Sequence, residues 1–181
     1  MLGVGPQSRV GECGGSLITQ RFVLSAAHCF QGRLPDQPSS VRVYLGRHHR
    51  MSKGTEYAVE EVIIHPDWLL PTKLVRAPPN DIALLRLSKD AELSSTVSMV
   101  CLPSGPQDSP PPGTRALFSG WGMNENSTLS DELQYNWVHI ISLDECKERG
   151  AKHLETNLCT YDKTILKDGT IIGGSMGSGL E

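Results

Sequence analysis

The stretch Leu-Ser-Ala-Ala-His-Cys at residues 24–29 decides the fold of this 181-residue chain and points to its chemistry. It places His28 directly after small residues and beside Cys29, and a second cysteine, Cys13, begins the upstream string Cys-Gly-Gly-Ser-Leu-Ile. A histidine alone after an apolar run is usually a core residue whose ring hydrogen-bonds to the backbone. The surrounding string reverses that interpretation, and His28 becomes the first candidate for a functional residue.

Composition describes an ordinary soluble globular chain, with 38% apolar and 20% charged residues. The net charge of -3 shows no overall excess of basic residues, so we expect no nucleic-acid partner. The longest apolar runs, such as 82–85 and 138–141, are far shorter than the roughly 20 residues of a membrane helix, so we expect no membrane partner. Residues 1–10 lack the pattern of a secretory signal, which must lie upstream or be absent.

Short apolar or alternating runs bounded by turn residues recur along the chain and predict an all-β fold. Turns of helix are predicted at 26–30 and 143–149. Residues 105–113 contain four prolines, which disfavour helix and central strand, so they are predicted to connect a first domain, 1–104, to a second, 114–181. The predicted strands are 41–45, 57–64, 82–87, 116–119 and 133–141.

The five cysteines form no CxxC pair, and the histidines are not spaced around them as zinc ligands would be, so we expect no metal. Pairing Cys13 with Cys29 and Cys146 with Cys159 would close two short loops and leave Cys101 over. In an oxidised protein the odd cysteine suggests a partner outside the chain, whereas a reducing compartment would leave five buried thiols. We favour export.

Two polar features are compatible with surface loops. The sequon Asn126-Ser127-Thr128 lies in a polar stretch and is a candidate glycosylation site. Residues 47–50, Arg-His-His-Arg, form a small basic cluster with Lys53. It could meet an acidic partner or a sulfated polysaccharide, but a solvated loop is the favoured interpretation.

The chain resembles the trypsin/chymotrypsin family of secreted serine endopeptidases, whose hallmark Leu-Ser-Ala-Ala-His-Cys it matches at every position of 24–29. Three further motifs follow in the family's order: Asn-Asp-Ile-Ala-Leu-Leu at 80–85, Cys-Leu-Pro at 101–103 and Ser-Gly-Trp-Gly at 119–122. The resemblance implies two antiparallel β-barrels of the chymotrypsin type. It also implies that the first barrel lacks its amino-terminal strand and that the second is incomplete.

The resemblance assigns His28 as the general base and Asp81 as the buried carboxylate that orients it, with no cofactor. A serine hydroxyl is a poor nucleophile until a neighbouring imidazole takes its proton. The family pairs Cys13 with Cys29 and Cys146 with Cys159. It uses a cysteine at the place of Cys101 to bind an amino-terminal extension.

The nucleophile motif Gly-Asp-Ser-Gly-Gly-Pro-Leu is not intact, and the nearest stretch, 173–181, fits it in two registers. The favoured register matches Gly174, Gly177 and Leu180, and it places Met176 at the nucleophile. The other makes Ser178 the nucleophile and loses the proline and leucine. Both registers lose the aspartate that pairs with a new amino terminus in activated family members, so the zymogen switch is unsupported.

Three functions are compatible with these residues. The first is a serine endopeptidase domain, truncated or divergent and inactive as written, that would act on protein or peptide substrates outside the cell. The second is a non-catalytic protease homologue that binds or regulates other proteins. The third is a chain too incomplete to fold stably. Ala116 stands where many members have a cysteine, and clip-domain proteases commonly lack that cysteine, so the resemblance is compatible with a clip-domain type. No residue can be nominated for cleavage specificity.

Overall fold

The computed structural model describes residues 3–5, 13–30, 38–52, 54–69, 79–105, 108–122, 128–150 and 157–161. These segments are mostly β-structure, as the alternating apolar runs predicted. Short helical turns lie at Ala27–Phe30 and Pro38–Ser40, and one α-helix, α1, is described at Leu143–Glu148. The described strands are β1 Gly3–Gly5, β2 Ser16–Leu17, β3 Phe22–Ser25, β4 Arg42–Leu45, β5 Thr55–Ile64, β6 Ala83–Leu87, β7 Arg115–Gly120, β8 Gln134–Ile141 and β9 Cys159–Tyr161.

The first sheet comprises the described strands in the order β1-β4-β5-β6-β3-β2, and all of its neighbours are antiparallel. Strand β6 alternates buried and half-buried residues, as expected for a strand with one face against a core. Its Leu85 pairs with Val23 of β3 and Val62 of β5, and it is completely buried. The core packed on this face contains Leu17, Val23, Phe30, Val43, Leu45, Tyr57, Val59, Val62, Ala83, Leu85, Leu87 and Ala91.

The second sheet contains the described strands β7, β8 and β9 in antiparallel order. Helix α1 follows β8 and begins after Ser142, whose hydroxyl accepts a hydrogen bond from the Glu145 N–H as an N-cap. A disulfide between Cys146 of α1 and Cys159 of β9 joins the helix to the edge of this sheet. The turn of helix predicted at 143–149 is therefore a capped and cross-linked helix.

Backbone contacts between residues 48–50 and 131–133 join the two sheets. The Arg50 N–H donates to the Asp131 carbonyl at 2.7 Å, and the Leu133 N–H donates to the His48 carbonyl at 2.9 Å. The indole of Trp121, in the Ser-Gly-Trp-Gly motif, donates to the same His48 carbonyl at 2.9 Å. The segment after β4 is thus fixed to the segment before β8.

The five strands predicted from sequence are all present, with ends shifted by one or two residues. The short strands β1, β2, β3 and β9 were not predicted, because runs of two to four residues carry no readable period. Within the described residues, no helix is both long and apolar enough to cross a bilayer.

Candidate active site

His28 lies in a tight helical turn at the end of β3, and the small residues of its motif make that turn possible. Ala26 and Ala27 are completely buried, and Ser25 is 1% exposed, so larger side chains have no room there. The Ser25 hydroxyl donates to the Gly14 carbonyl at 2.9 Å, which satisfies a buried polar group. The sequence Ser-Ala-Ala therefore fits the backbone closely against the core and leaves the next side chain, His28, at the surface.

Asp81 lies in the turn that precedes β6. Asn80 adopts a left-handed backbone conformation, φ 60°, which asparagine tolerates better than most residues. Because β3 and β6 are paired with Ser25 opposite Ala83, the segment just before β6, which carries Asp81, comes close to the segment just after β3, which carries His28. The strand register thus brings together His28 and Asp81, which are 53 positions apart in the sequence.

The His28 imidazole and the Asp81 carboxylate form a short, two-point contact. The distance from His28 Nδ1 to Asp81 Oδ2 is 2.7 Å, and the backbone N–H of His28 donates to Asp81 Oδ1 at 2.8 Å. Since an ionised carboxylate only accepts, Nδ1 carries the proton in this contact. The lone pair of neutral His28 is therefore on Nε2, where it can take a proton from another group.

The contact between His28 and Asp81 shifts the pKa values of both side chains. The hydrogen bond to Asp81 raises the pKa of His28 above its ordinary value of 6.5, and this effect outweighs the desolvation of the ring. Burial alone would raise the pKa of Asp81, but hydrogen bonds from the His28 side chain and from backbone N–H groups lower it below its ordinary 3.8. The Asp81 carboxylate is therefore ionised at neutral pH.

These shifts predict a pH-dependent contribution of Asp81 to stability. The raised pKa of His28 stabilises the folded state below about pH 6.5, and this contribution is lost as the pH rises through the folded value. The lowered pKa of Asp81 contributes above about pH 3.8 and is lost on acidification through the folded value. Urea unfolding of the wild type and Asp81→Asn should therefore differ most near pH ~5 and less near pH ~8.5. A difference of equal size at both pH values would contradict this origin of the stability.

A disulfide lies directly beside the imidazole. Cys29 is bonded to Cys13, and its sulfur is 3.8 Å from His28 Nε2. Because both sulfurs are in the disulfide, they offer no thiolate to a metal despite their closeness to the ring. Cys101 is exposed and has no disulfide partner among the described residues.

Several residues singled out from the sequence lie outside the described residues. They are Met176 and Ser178, the two candidates for the nucleophile position, and Asn126, the candidate glycosylation site. The described part of the candidate site is therefore the His28 imidazole and the Asp81 carboxylate that it contacts. Sequence reasoning selected both of these residues, but not the backbone contact from the His28 N–H, which depends on the register of β3 and β6.

Comparison with known proteins finds similarity over most of the chain. The family model described as Trypsin matches residues 4–172, which is most of the chain. The chain belongs to the trypsin family of serine proteases. This trypsin-family domain is similar to Trypsin-3 of Salmo salar, with 38% identity over 84% of the chain and 60% of that protein. It is 37% identical to tissue-type plasminogen activator of Sus scrofa, over 92% of the chain and 28% of that protein.

A solved structure gives the same result for the fold of the trypsin-family domain. Neuropsin, a serine protease expressed in the limbic system of mouse brain, superposes with a TM-score of 0.73 and is 28% identical. The match covers 90% of this chain and 69% of that chain. It confirms the predicted all-β fold of the chymotrypsin type. The chain spans 60% or less of the length of the two curated relatives named above.

Proposed function

We propose that this domain is a serine endopeptidase domain in which His28 is the general base and Asp81 orients it. The observation that carries the proposal is the 2.7 Å contact between Nδ1 and the carboxylate, which fixes the tautomer and leaves Nε2 to act. An imidazole hydrogen-bonded to a carboxylate in this way is the base that serine acyl transfer requires. The substrates would be proteins or peptides, with no cofactor.

The proposed chemistry uses His28 twice. Nε2 takes the proton of a serine hydroxyl as the oxygen attacks the peptide carbonyl carbon, and the imidazolium then gives that proton to the departing amine as the C–N bond breaks. Water, activated by the same imidazole, hydrolyses the acyl-enzyme and regenerates the serine. Asp81 stays ionised throughout and stabilises the imidazolium.

We further propose that this chain does not complete the acyl step. In the favoured register Met176 stands at the nucleophile, and a thioether has no proton to lose and cannot attack a carbonyl to form an acyl-enzyme. The same observation supports a second candidate function, a non-catalytic homologue that binds or regulates other proteins with the retained surface. Ser178 is the nucleophile only in the other register.

Treatment with a fluorophosphonate probe distinguishes an active endopeptidase from a non-catalytic homologue. The full chain, Ser178→Ala and His28→Ala would be treated with the probe before and after limited proteolysis, and labelled sites mapped by mass spectrometry. Met176 at the nucleophile predicts no specific labelling in any of them, with an active trypsin as the positive control. Labelling at Ser178 that is lost in His28→Ala would overturn the Met176 register and support an active endopeptidase. An unlabelled chain that unfolds cooperatively supports the binding homologue.

The cellular location of the domain and its links to neighbouring regions are also proposed. We infer an extracellular location, supported by the two disulfides formed among the described residues, because disulfides persist mainly in oxidising compartments. Cys101 is proposed to bind an upstream region through a further disulfide, consistent with its exposure. Residues 105–113 come after the strands of the first sheet and before those of the second in the sequence, and we propose them as the connector of domains 1–104 and 114–181.

A further inference from the structure

Three metal-binding side chains meet where the two sheets join, away from the His28–Asp81 pair. They are His48 and His49, after β4, and Glu132, before β8. One donor atom from each lies within 4.8 Å of the other two. All three residues are exposed, so an ion could reach them from solvent. The sequence predicted these two histidines only as part of a basic loop, at residues 47–50.

The backbone holds His49 and Glu132 face to face. They are partners in an antiparallel bridge, flanked by the hydrogen bonds from Arg50 to Asp131 and from Leu133 to His48. This pattern makes them a non-hydrogen-bonded pair, in which side chains lie closest. The His49 Nδ1 to Glu132 Oε1 distance is 3.9 Å. The carbonyl of His49 is also fixed, because it accepts from the N–H and the hydroxyl of Ser52.

The second histidine comes from the adjacent position in the chain. The rings of His48 and His49 are 5.0 Å apart between centroids and stand edge to face. Small rotations of these exposed side chains would bring two imidazole nitrogens and a carboxylate oxygen to the ~2.0–2.2 Å bond lengths of zinc. Two nitrogens and one oxygen suit zinc, whereas calcium and magnesium prefer oxygen ligands.

The neighbouring arginines have other partners. The Arg47 guanidinium lies 3.7 Å from the centre of the Tyr44 ring and donates to the Arg50 carbonyl. Arg50 faces the Asp131 carboxylate at 3.8 Å. Their positive charges weaken the attraction for a cation, but neither side chain competes for Glu132 among the described contacts.

We propose that His48, His49 and Glu132 bind a zinc ion that cross-links the two sheets. Because the donors come from segments that are about 80 residues apart and meet only on folding, zinc binds the folded chain and stabilises it. At a zinc concentration ~100 times the dissociation constant, the ratio of folded to unfolded chain rises about 100-fold. The proposal is independent of the endopeptidase chemistry.

Calorimetric titration of the metal-stripped full chain with zinc chloride tests the site. A Cys101→Ser background removes an exposed thiol that could bind zinc by itself. The titration should give one zinc per chain. In thermal unfolding, the midpoint temperature should rise with the zinc concentration. Because losing even an outer-shell partner costs roughly 10–100-fold in metal affinity, His49→Gln and Glu132→Gln should each weaken binding by at least ~10-fold. Calcium chloride in excess should not displace the zinc.

Matched controls are His65→Gln and Glu148→Gln, which remove an imidazole and a carboxylate elsewhere and should bind zinc as the background does. Unfolding midpoints without zinc establish that each variant folds, and His48→Gln replaces any variant that does not. Unchanged zinc affinity in folded His49→Gln and Glu132→Gln, or no stoichiometric binding by the background chain, would overturn the proposal.

Discussion

Replacement of Leu85 by alanine is expected to destabilise the folded chain by about 2–5 kcal/mol, the usual cost of removing a buried leucine side chain. Leu85 is completely buried in β6 and pairs with strands on both sides. The substitution removes apolar surface from the core and leaves a cavity that a central strand cannot easily close. Because β6 begins two residues after Asp81, the same change should loosen the His28–Asp81 contact. Urea unfolding followed by circular dichroism measures the loss.

Leu69→Ala is the matched control for this prediction. Leu69 is 65% exposed, and its truncation should change the free energy of unfolding by no more than about 0.5 kcal/mol. Equal midpoints for Leu85→Ala and Leu69→Ala would show that the face of β6 described as core is not packed in solution.

Loss of the Cys13–Cys29 disulfide is the second large effect. The bond joins residues 16 positions apart, and the double variant Cys13→Ser/Cys29→Ser should lose about 3 kcal/mol because the unfolded chain regains the freedom of that loop. Cys29 also fixes the turn that carries His28, so the variant should report on the site as well as on stability. Unfolding in urea without reductant gives the measurement.

Cys101→Ser serves as the control for the disulfide. Cys101 is exposed and has no disulfide partner among the described residues, so its replacement should leave the stability within about 0.5 kcal/mol. A double variant as stable as Cys101→Ser would mean that Cys13 and Cys29 are not bonded in the isolated chain.

Much of the fold could be predicted because the strands are long enough to show a period. The alternation in β6 and the long run of β5 are visible in the residues themselves. The helical turns at 26–30 and 143–149 were also predicted. Strands β1, β2, β3 and β9 could not be, since each has only two to four residues.

The residues of the candidate site could be predicted from sequence in part, but their contacts could not. The string at 24–29 and the Asn-Asp at 80–81 identified His28 and Asp81 through resemblance, but their contact depends on the register of β3 and β6. No local pattern shows that the Asp81 carboxylate also accepts from the backbone of His28. Glu132 was missed entirely, because its closeness to His49 comes from a single bridge between the sheets.

The proposed function requires His28 to be a base that Asp81 already orients. The most direct test is an NMR titration of the His28 ring in the wild type and in Asp81→Asn, with the other histidine signals as internal controls. The structure predicts that the pKa of His28 lies above its ordinary value in the wild type and falls in Asp81→Asn, since the hydrogen bond to Asp81 is the main cause of the shift. The same His28 pKa in both proteins would contradict the account.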